Sequence, residues 1–255
     1  IDNDHLDYFE SFTNLVEAFT RVINKVKQTV VINYDDDNLR KIQIDNFMSY
    51  GEHDEVDIRI SEPNIISYQK KNHTVDSALI GKHYLSNIAG AIALCTLYKL
   101  PISEILEAIS KFSGVKRRLE YIGTYKEVKF YDDYGHHPTE IKATIFALKK
   151  HTLGKLFVIF QPHRFTRTRD NFEQLQESLE DADFAVVTDI YSAGEEPIPG
   201  ISSKNFKGKN IKYIKSVRSV PIYIKENIKS GDNVLTLGAG DVTLLGPQIL
   251  KYLND

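Results

Sequence analysis

Short apolar runs alternate with helical patterns throughout the second half of the chain, and this alternation is the feature that most constrains the fold. The runs are rich in β-branched and aromatic residues, and most lead into a segment whose apolar residues recur every three or four positions. Strands that alternate with helices form a parallel sheet with helices on both of its faces. We therefore predict a doubly wound α/β fold with strands at 128–131, 156–160, 184–188, 211–215 and 233–237 and helices at 138–150, 170–180, 218–228 and 241–253.

The earlier part of the chain lacks this regular alternation. Residues 12–27 and 84–98 have the apolar periodicity of amphipathic helices, and 29–33 is a short β-branched strand. The acidic cluster 35–38 has the composition of a solvated loop, and 39–80 shows only weak strand alternation. The side chains expected to face a core are Leu15, Phe19, Val22, Ile23 and Val26 in the first helix, and Leu85, Ile88, Ala89, Ile92 and Ala93 in the second.

A domain boundary is predicted near Gly114. Pro101 interrupts the helical pattern, and Ser103 is suited to cap one more helix. The pattern changes to strand–helix alternation soon afterwards. The chain is therefore expected to contain two domains, 1–113 and 114–255.

Composition narrows the class of protein. Hydrophobic residues make up 42% of the chain and charged residues 26%, which is normal for a globular protein. We find neither an 18-residue apolar run nor a signal-peptide pattern, so we expect a cytoplasmic protein with no membrane partner. The net charge of -3 argues against a nucleic-acid partner. Cys95 is the one cysteine, which excludes an internal disulfide.

Polar side chains crowd the points at which the strands 128–131 and 156–160 end. In an open α/β sheet these points lie at the carboxyl edge, where ligands bind. Ordinary connecting loops do not need so many carboxylates, imidazoles and guanidinium groups. We therefore predict a ligand site built from Asp132, Asp133, His136, His137, His163, Arg164 and Arg167.

Two segments resemble the Mur ligase family. They are Asp-Asp-Tyr-Gly-His-His-Pro-Thr-Glu at 132–140 and Phe-Gln-Pro-His-Arg-Phe-Thr-Arg-Thr at 160–168, and in combination they are highly specific. Further matches to the family follow from one end of the chain to the other, at 3–7, 81–87, 112–118, 191–197 and 237–241.

The resemblance implies the remainder of a central ATP-binding domain followed by a C-terminal Rossmann-like domain. The loop Gly-x-x-x-x-Gly-Lys-Ser/Thr, which holds ATP phosphates, is absent from the sequence. We therefore expect a fragment that lacks an N-terminal domain and the phosphate-binding loop, and that is inactive by itself.

The resemblance also implies a function. Members of the family are ATP-dependent acid–amino-acid ligases of peptidoglycan precursor synthesis. The pattern here looks most like the branch that joins L-alanine to UDP-N-acetylmuramate through an acyl phosphate, using ATP and Mg²⁺. A monomer or a weak homodimer is expected.

Residue roles follow from the same resemblance. Five residues match positions that line the region of the amino acid and the transferred phosphate, and either His136 or His163 could accept a proton from the amine. Tyr84 replaces a family asparagine, so one nucleotide contact is altered. The implied assignments are Tyr134, His136, His163, Arg164 and Arg167 for substrate and catalysis, Asn87, Arg118 and Asp133 for the nucleotide, and His5 for magnesium.

Two other functions are considered. A murein tripeptide recycling ligase shares the first segment but lacks the Gln-Pro-His-Arg of 161–164. A metal-dependent hydrolase could be built on His136, His137 and His163, although no His-Glu-x-x-His motif is present.

Two further segments are expected to have local structural roles. We expect His137 to cap the following helix, and Gly238-Ala-Gly-Asp241 to be a tight turn with Asp241 as the helix cap.

Overall fold

A computed structural model describes residues 1–61 and 63–255. It contains two compact units, Ile1–Ser113 and Gly114–Asp255. Each unit has its own sheet and its own buried core, and the two are described separately below.

The first unit is built around a mixed five-stranded sheet in the order β1-β2-β3-β4-β5. The strands β1, β2 and β3 are parallel, and β4 and β5 add an antiparallel meander. The long helix α4 packs on this sheet through the apolar face predicted from the sequence, because all five of its predicted core residues are buried. The elements are α1 (Leu6–Phe9), α2 (Phe12–Ile23), β1 (Val30–Asn33), α3 (Asp37–Arg40), β2 (Phe47–Gly51), β3 (Ile58–Ser61), β4 (Ile65–Tyr68), β5 (Lys71–Thr74), α4 (Lys82–Leu97) and α5 (Ile102–Ser110).

Three predictions for this unit were wrong. Helix α2 ends at Ile23, and of its predicted apolar face only Leu15 is buried, because helical periodicity does not reveal whether another element covers the face. The acidic cluster is the start of a helix, since Asp36 Oδ1 accepts hydrogen bonds from the N–H groups of two residues of α3. Ser103 lies inside α5, which begins directly after Pro101.

The second unit contains a six-stranded sheet in the order β10-β9-β8-β11-β7-β6. Neighbouring strands from β10 to β7 are parallel, and β6 is an antiparallel edge strand on β7. The elements are β6 (Glu120–Tyr125), β7 (Val128–Asp133), α6 (Pro138–Lys150), β8 (Leu156–Phe160), α7 (Phe165–Asp170), α8 (Phe172–Glu177), β9 (Phe184–Val187), β10 (Ile211–Tyr213), α9 (Val220–Asn227), β11 (Asn233–Leu237) and α10 (Leu245–Asn254).

Helices form two separate layers on this sheet, as the doubly wound prediction requires. Apolar residues of α9 and α10 share one core with every second residue of the central strands, such as Phe157 and Ile159. Helices α6 and α8 pack together, and α6 packs against β8. The intervening strand residues Leu156, Val158 and Phe160 are also fully buried, so β8 is covered on both faces.

Four details of this unit differ from the predictions. Strand β6 was missed because its hairpin turn, Lys126-Glu127, carries no Asn-Gly or Asp-Gly signal, although both residues have the positive φ of a tight hairpin turn. The helix expected at 170–180 is instead the two short helices α7 and α8. Strand β7 extends to Asp133, so both aspartates lie within the strand. Residues Asp241–Leu244 form a 3₁₀ turn before α10.

None of the helices in the described parts of the chain has the length and hydrophobicity that a bilayer crossing requires.

The predicted domain boundary leads to a testable expectation for residues 114–255. A protein of these residues should fold alone and unfold in one cooperative thermal transition, because a domain of this size can bury its own core. Circular dichroism and hydrogen exchange would measure this. A broad, non-cooperative transition with unprotected strand amides would show that the boundary is misplaced.

Candidate functional site

The candidate site lies at the carboxyl edge of β7, β11 and β8. Strand β11 lies between β7 and β8, so the two polar loops do not follow adjacent strands. Leu237, at the end of β11, is in register with both Asp133 of β7 and Phe160 of β8, so three loops begin at one level of the sheet. Helix α6 follows β7 and helix α8 follows β8, and both helices lie in the layer on one face of the sheet. Helix α10, which follows β11, lies in the layer on the other face. Loops that leave a sheet edge toward opposite faces open a crevice suited to ligands.

A row of aromatic rings crosses this edge. The ring centroids of Tyr134 and His136 are 5.3 Å apart, and those of His136 and His163 are 5.9 Å apart. The row continues to Tyr191, whose ring is stacked on His163 with a centroid distance of 5.6 Å. The structure therefore brings together the predicted residues of both loops and adds Tyr191, which the sequence analysis had not assigned to the site.

His163 is held as a neutral imidazole. Its Nδ1 lies 3.2 Å from a terminal nitrogen of Arg167, and because a guanidinium only donates, the imidazole nitrogen accepts. Burial lowers the pKa of His163, and the nearby charges of Arg167, His136 and Arg164 lower it further, to about 4. An imidazole with this pKa is a weak base at neutral pH.

We expect His163 to titrate with a midpoint near pH 4 when its ring protons are followed by NMR in this chain. The ordinary pKa of histidine is 6.5, so the unfolded chain binds this proton more readily than the folded chain. The folded state therefore loses stability as the pH falls from 6.5 to about 4. Arg167→Ala removes a neighbouring positive charge and should raise the midpoint. Arg169→Ala, on the exposed side of α7, is the control and should leave it unchanged. A midpoint near 6.5 in the unmodified chain would contradict this electrostatic account.

His136 is positioned by Glu140. The His136 backbone N–H donates to Glu140 Oε2 at 3.2 Å, and His136 Nδ1 lies 3.8 Å from the same oxygen and 3.1 Å from the Tyr134 carbonyl oxygen. Burial raises the pKa of Glu140, but the His136 N–H, the His136 charge and the Arg118 guanidinium outweigh it and hold the pKa below its usual range. Glu140 therefore stays ionised beside the imidazole.

Arg164 is bound to Glu195. Its Nε lies 2.9 Å from Glu195 Oε1, and its backbone has the unusual φ of 72°. Because Glu195 belongs to the loop that follows β9, this ion pair joins two loops of the sheet edge. No local sequence pattern indicates a role for Glu195, since its partner is remote in sequence.

Arg117 is the arginine that organises the edge, and no role was predicted for it from the sequence. A terminal nitrogen of Arg117 donates to the carbonyl oxygen of Gly238 at 2.7 Å, and its guanidinium lies 4.7 Å from the centre of the Tyr134 ring. Its Nε is 3.5 Å from the fully buried carboxylate of Asp132. Arg118 is more exposed, at 44% of its side chain, and pairs with Glu140.

The turn after β11 is braced by Gln161. The Gln161 amide donates to Asp241 Oδ1 at 2.7 Å and accepts from the Val242 N–H at 3.1 Å. A Cβ on Gly240 would lie only 2.7 Å from Tyr191 Cγ and would overlap Gln161, so this position requires glycine. The predicted tight turn is confirmed, but Asp241 as its cap was wrong, because Gly240 is the cap residue and the aspartate side chain faces Gln161. His137 does cap α6, as predicted.

Asp133 is deeply buried at the end of β7. It is 2% exposed, and its two carboxylate oxygens accept hydrogen bonds from the N–H groups of Leu119 and Gly135, each at 2.7 Å. Burial raises the pKa of Asp133 to about 6, although both N–H groups act to lower it. In this conformation the carboxylate holds the chain on either side of the site and does not face solvent.

The first unit carries the remaining predicted residues. Asn87 is exposed on α4, and the rings of His83 and Tyr84 are 4.3 Å apart at the start of that helix. His5 is 60% exposed, and its Nε2 lies 3.6 Å from Asp4 Oδ2.

Magnesium prefers an octahedral set of oxygen ligands, which one imidazole and one carboxylate do not supply. Across 1–61 and 63–255, no three His, Cys, Asp or Glu side chains are grouped to hold a metal ion. By themselves His5 and Asp4 therefore do not form a complete cation site, and His136, His137 and His163 are not among such groups in the described residues.

Comparisons with known proteins agree with one another. The Mur ligase middle domain profile matches residues 1–95, and that of the Mur ligase glutamate ligase domain matches 117–240. The chain is 40% identical to a UDP-N-acetylmuramate--L-alanine ligase of Endomicrobium trichonymphae, over 99% of this chain and 60% of that protein. It is 36% identical to the ligase of the same name from Dictyoglomus turgidum, over 98% of this chain and 59% of the relative. The chain thus spans about 60% of the length of these curated relatives.

Solved structures share the fold. UDP-N-acetylmuramate-alanine ligase MurC from Thermotoga maritima superposes with a TM-score of 0.76 at 23% identity, over 99% of this chain and 57% of that one. A murein peptide ligase from Psychrobacter arcticus superposes with a TM-score of 0.66 at 20% identity, over 94% of this chain and 55% of the other.

Proposed function

Because the chain belongs to the Mur ligase family, of which it carries a middle and a C-terminal domain, we propose that it serves the ATP-dependent ligation of L-alanine to UDP-N-acetylmuramate. The observation that carries the proposal is the meeting of three side chains at the carboxyl edge of the sheet: His163 from the loop after β8, Arg167 from the helix α7 that follows it, and His136 from the loop after β7. An amino acid needs a cation for its carboxylate and an acceptor for an amine proton, and these residues provide both.

The proposed reaction has two steps. The lactyl carboxylate of UDP-N-acetylmuramate attacks the γ-phosphorus of ATP, which forms an acyl phosphate and releases ADP. The amine of L-alanine then attacks the acyl carbon, the tetrahedral intermediate expels phosphate, and the amine loses a proton as the amide forms. Negative charge develops on phosphoryl and carbonyl oxygens, and positioned cations stabilise it.

We assign the alanine carboxylate to Arg167 together with Arg164, and the amine proton to His136. A guanidinium binds a carboxylate through two parallel hydrogen bonds. His163, whose pKa is about 4, is a weak base at neutral pH. His136 lies beside the ionised Glu140, whose charge stabilises the imidazolium that proton transfer creates.

Nucleotide contacts are assigned to Arg118 and Asn87, whose side chains are exposed. Asp133 keeps the ribose role that the resemblance implies, and in this conformation its carboxylate also holds the loop. Magnesium would accompany the ATP phosphates, with His5 as one of several ligands. We expect the enzyme to act in the cytoplasm, as a monomer or weak homodimer, without nucleic-acid or membrane partners.

Product formation in a full-length ligase that contains this chain tests the proposal. Phosphate release should require ATP, UDP-N-acetylmuramate and L-alanine together, and mass spectrometry should detect the amide product. The tripeptide of the recycling reaction should give no product in place of L-alanine. Ligation of the tripeptide without ligation of L-alanine would overturn the proposal in favour of the recycling ligase.

A further inference from the structure

Glu195 makes several contacts with the loop that follows β8. Its Oε1 accepts from Arg164 Nε at 2.9 Å and from the Thr166 hydroxyl at 2.6 Å, and its Oε2 accepts from the Thr166 backbone N–H at 3.0 Å. The side chain is 16% exposed, unlike that of the adjacent Glu196, which is exposed. One carboxylate therefore binds both the side chain of Arg164 and the first turn of α7.

The loop that Glu195 binds is under backbone strain. Arg164 has φ of 72° and ψ of 138°, a conformation that non-glycine residues rarely adopt and that persists only when surrounding contacts enforce it. The backbone supplies some of these contacts, because the Arg164 N–H donates to the Tyr191 carbonyl at 2.8 Å and the Tyr191 N–H donates to the Pro162 carbonyl at 2.8 Å. Glu195 supplies the side-chain contacts at the same place.

Electrostatics favour the ionised form of this carboxylate. Burial raises the pKa of Glu195, but the Thr166 hydroxyl and N–H, the Arg164 charge and the Phe165 N–H outweigh burial and hold the pKa below its usual range. Every group that contacts the Glu195 carboxylate is a hydrogen-bond donor. The ionised form, which only accepts hydrogen bonds, therefore matches all of these contacts.

We propose that Glu195 is a positioning residue for the amino-acid site, which acts through Arg164 to fix the plane of its guanidinium beside His163 and Arg167. This inference rests on the proposed function. A guanidinium held through Nε presents its two terminal nitrogens in a defined orientation, and recognition of a planar carboxylate depends on that orientation. Glu195 itself touches no substrate.

Steady-state kinetics of Glu195→Gln in a full-length ligase test this role. Glutamine keeps the size of the side chain, but its amide nitrogen would face a donor. The KM for L-alanine should rise about tenfold or more, as expected when a positioned group is displaced, while the KM for UDP-N-acetylmuramate stays unchanged. Glu195→Asp keeps the charge and should recover part of the loss. Glu196→Gln is the matched control and should behave as the unmodified enzyme.

A double-mutant cycle separates positioning from a purely structural role. If Glu195 acts through Arg164, the variant carrying both Arg164→Ala and Glu195→Gln should be no worse for L-alanine than Arg164→Ala alone. Additive effects, or an equal loss of activity toward all substrates together with a lowered Tm, would overturn the proposal. If the unmodified enzyme shows no dependence on L-alanine, the proposed function fails instead, so the two failures can be told apart.

Discussion

Arg167→Ala and His136→Ala should each lower kcat/KM for L-alanine by at least about 100-fold in a full-length ligase that contains this chain. Arg167 supplies the charge for the amino-acid carboxylate, and His136 accepts the amine proton beside Glu140. Both follow the ends of strands, outside the buried core, so the variants should keep the Tm of the unmodified enzyme. Arg167→Lys should recover only part of the loss, because lysine keeps the charge but not the planar fork.

Initial rates at varied L-alanine, with ATP and UDP-N-acetylmuramate saturating, measure this effect. Arg169→Ala removes a neighbouring arginine of α7 that pairs with Asp170 on the exposed surface, and it should have near-normal rates. Near-normal alanine kinetics in both Arg167→Ala and His136→Ala would show that the amino acid binds elsewhere. The family assignment would survive that result.

Asp132→Ala should reduce the free energy of unfolding by about 3–5 kcal/mol, the range expected when one partner of a buried ion pair is removed. The Asp132 carboxylate is 1% exposed and accepts hydrogen bonds from the hydroxyls of Thr236 and Thr243, both at 2.6 Å. It also lies 3.5 Å from Arg117 Nε, which has no hydrogen-bond partner among the described residues. Its loss removes the negative charge beside Arg117, the acceptor of the Thr243 hydroxyl and one of the two acceptors of the Thr236 hydroxyl.

Urea unfolding of this chain, followed by circular dichroism, gives the free energy. Asp181→Ala removes an exposed carboxylate from the same unit and should change stability by no more than about 0.5 kcal/mol. Equal stability of the two variants would show that the buried carboxylate does not hold β7 to the turn after β11.

Much of the second unit was predictable from local patterns. Helix α6 and the strands β8 and β11 have the bounds that the sequence predicted, because buried parallel strands are continuous apolar runs and Pro138 starts a helix. The placement of polar residues at the carboxyl edge was also predictable, since the direction of a parallel strand determines which end its loop leaves.

The arrangement around the site depended on contacts between residues far apart in sequence. Strand β11 lies between β7 and β8, and no local sequence pattern encodes this strand order. Arg117 and Arg118 are adjacent, yet one reaches the turn after β11 and the other points to Glu140, and sequence alone does not distinguish them. The burial of Asp133 was not predicted, because the predicted strand ended two residues too early.

The central claim is that the loops after β7 and β8 hold the amino acid. The most direct test is a crystal structure of a full-length ligase containing this chain, bound to L-alanine, UDP-N-acetylmuramate and a non-hydrolysable ATP analogue. We expect the alanine carboxylate within hydrogen-bonding distance, about 2.7–3.2 Å, of the Arg167 guanidinium, and its amine facing His136. Alanine bound away from both residues would contradict the claim.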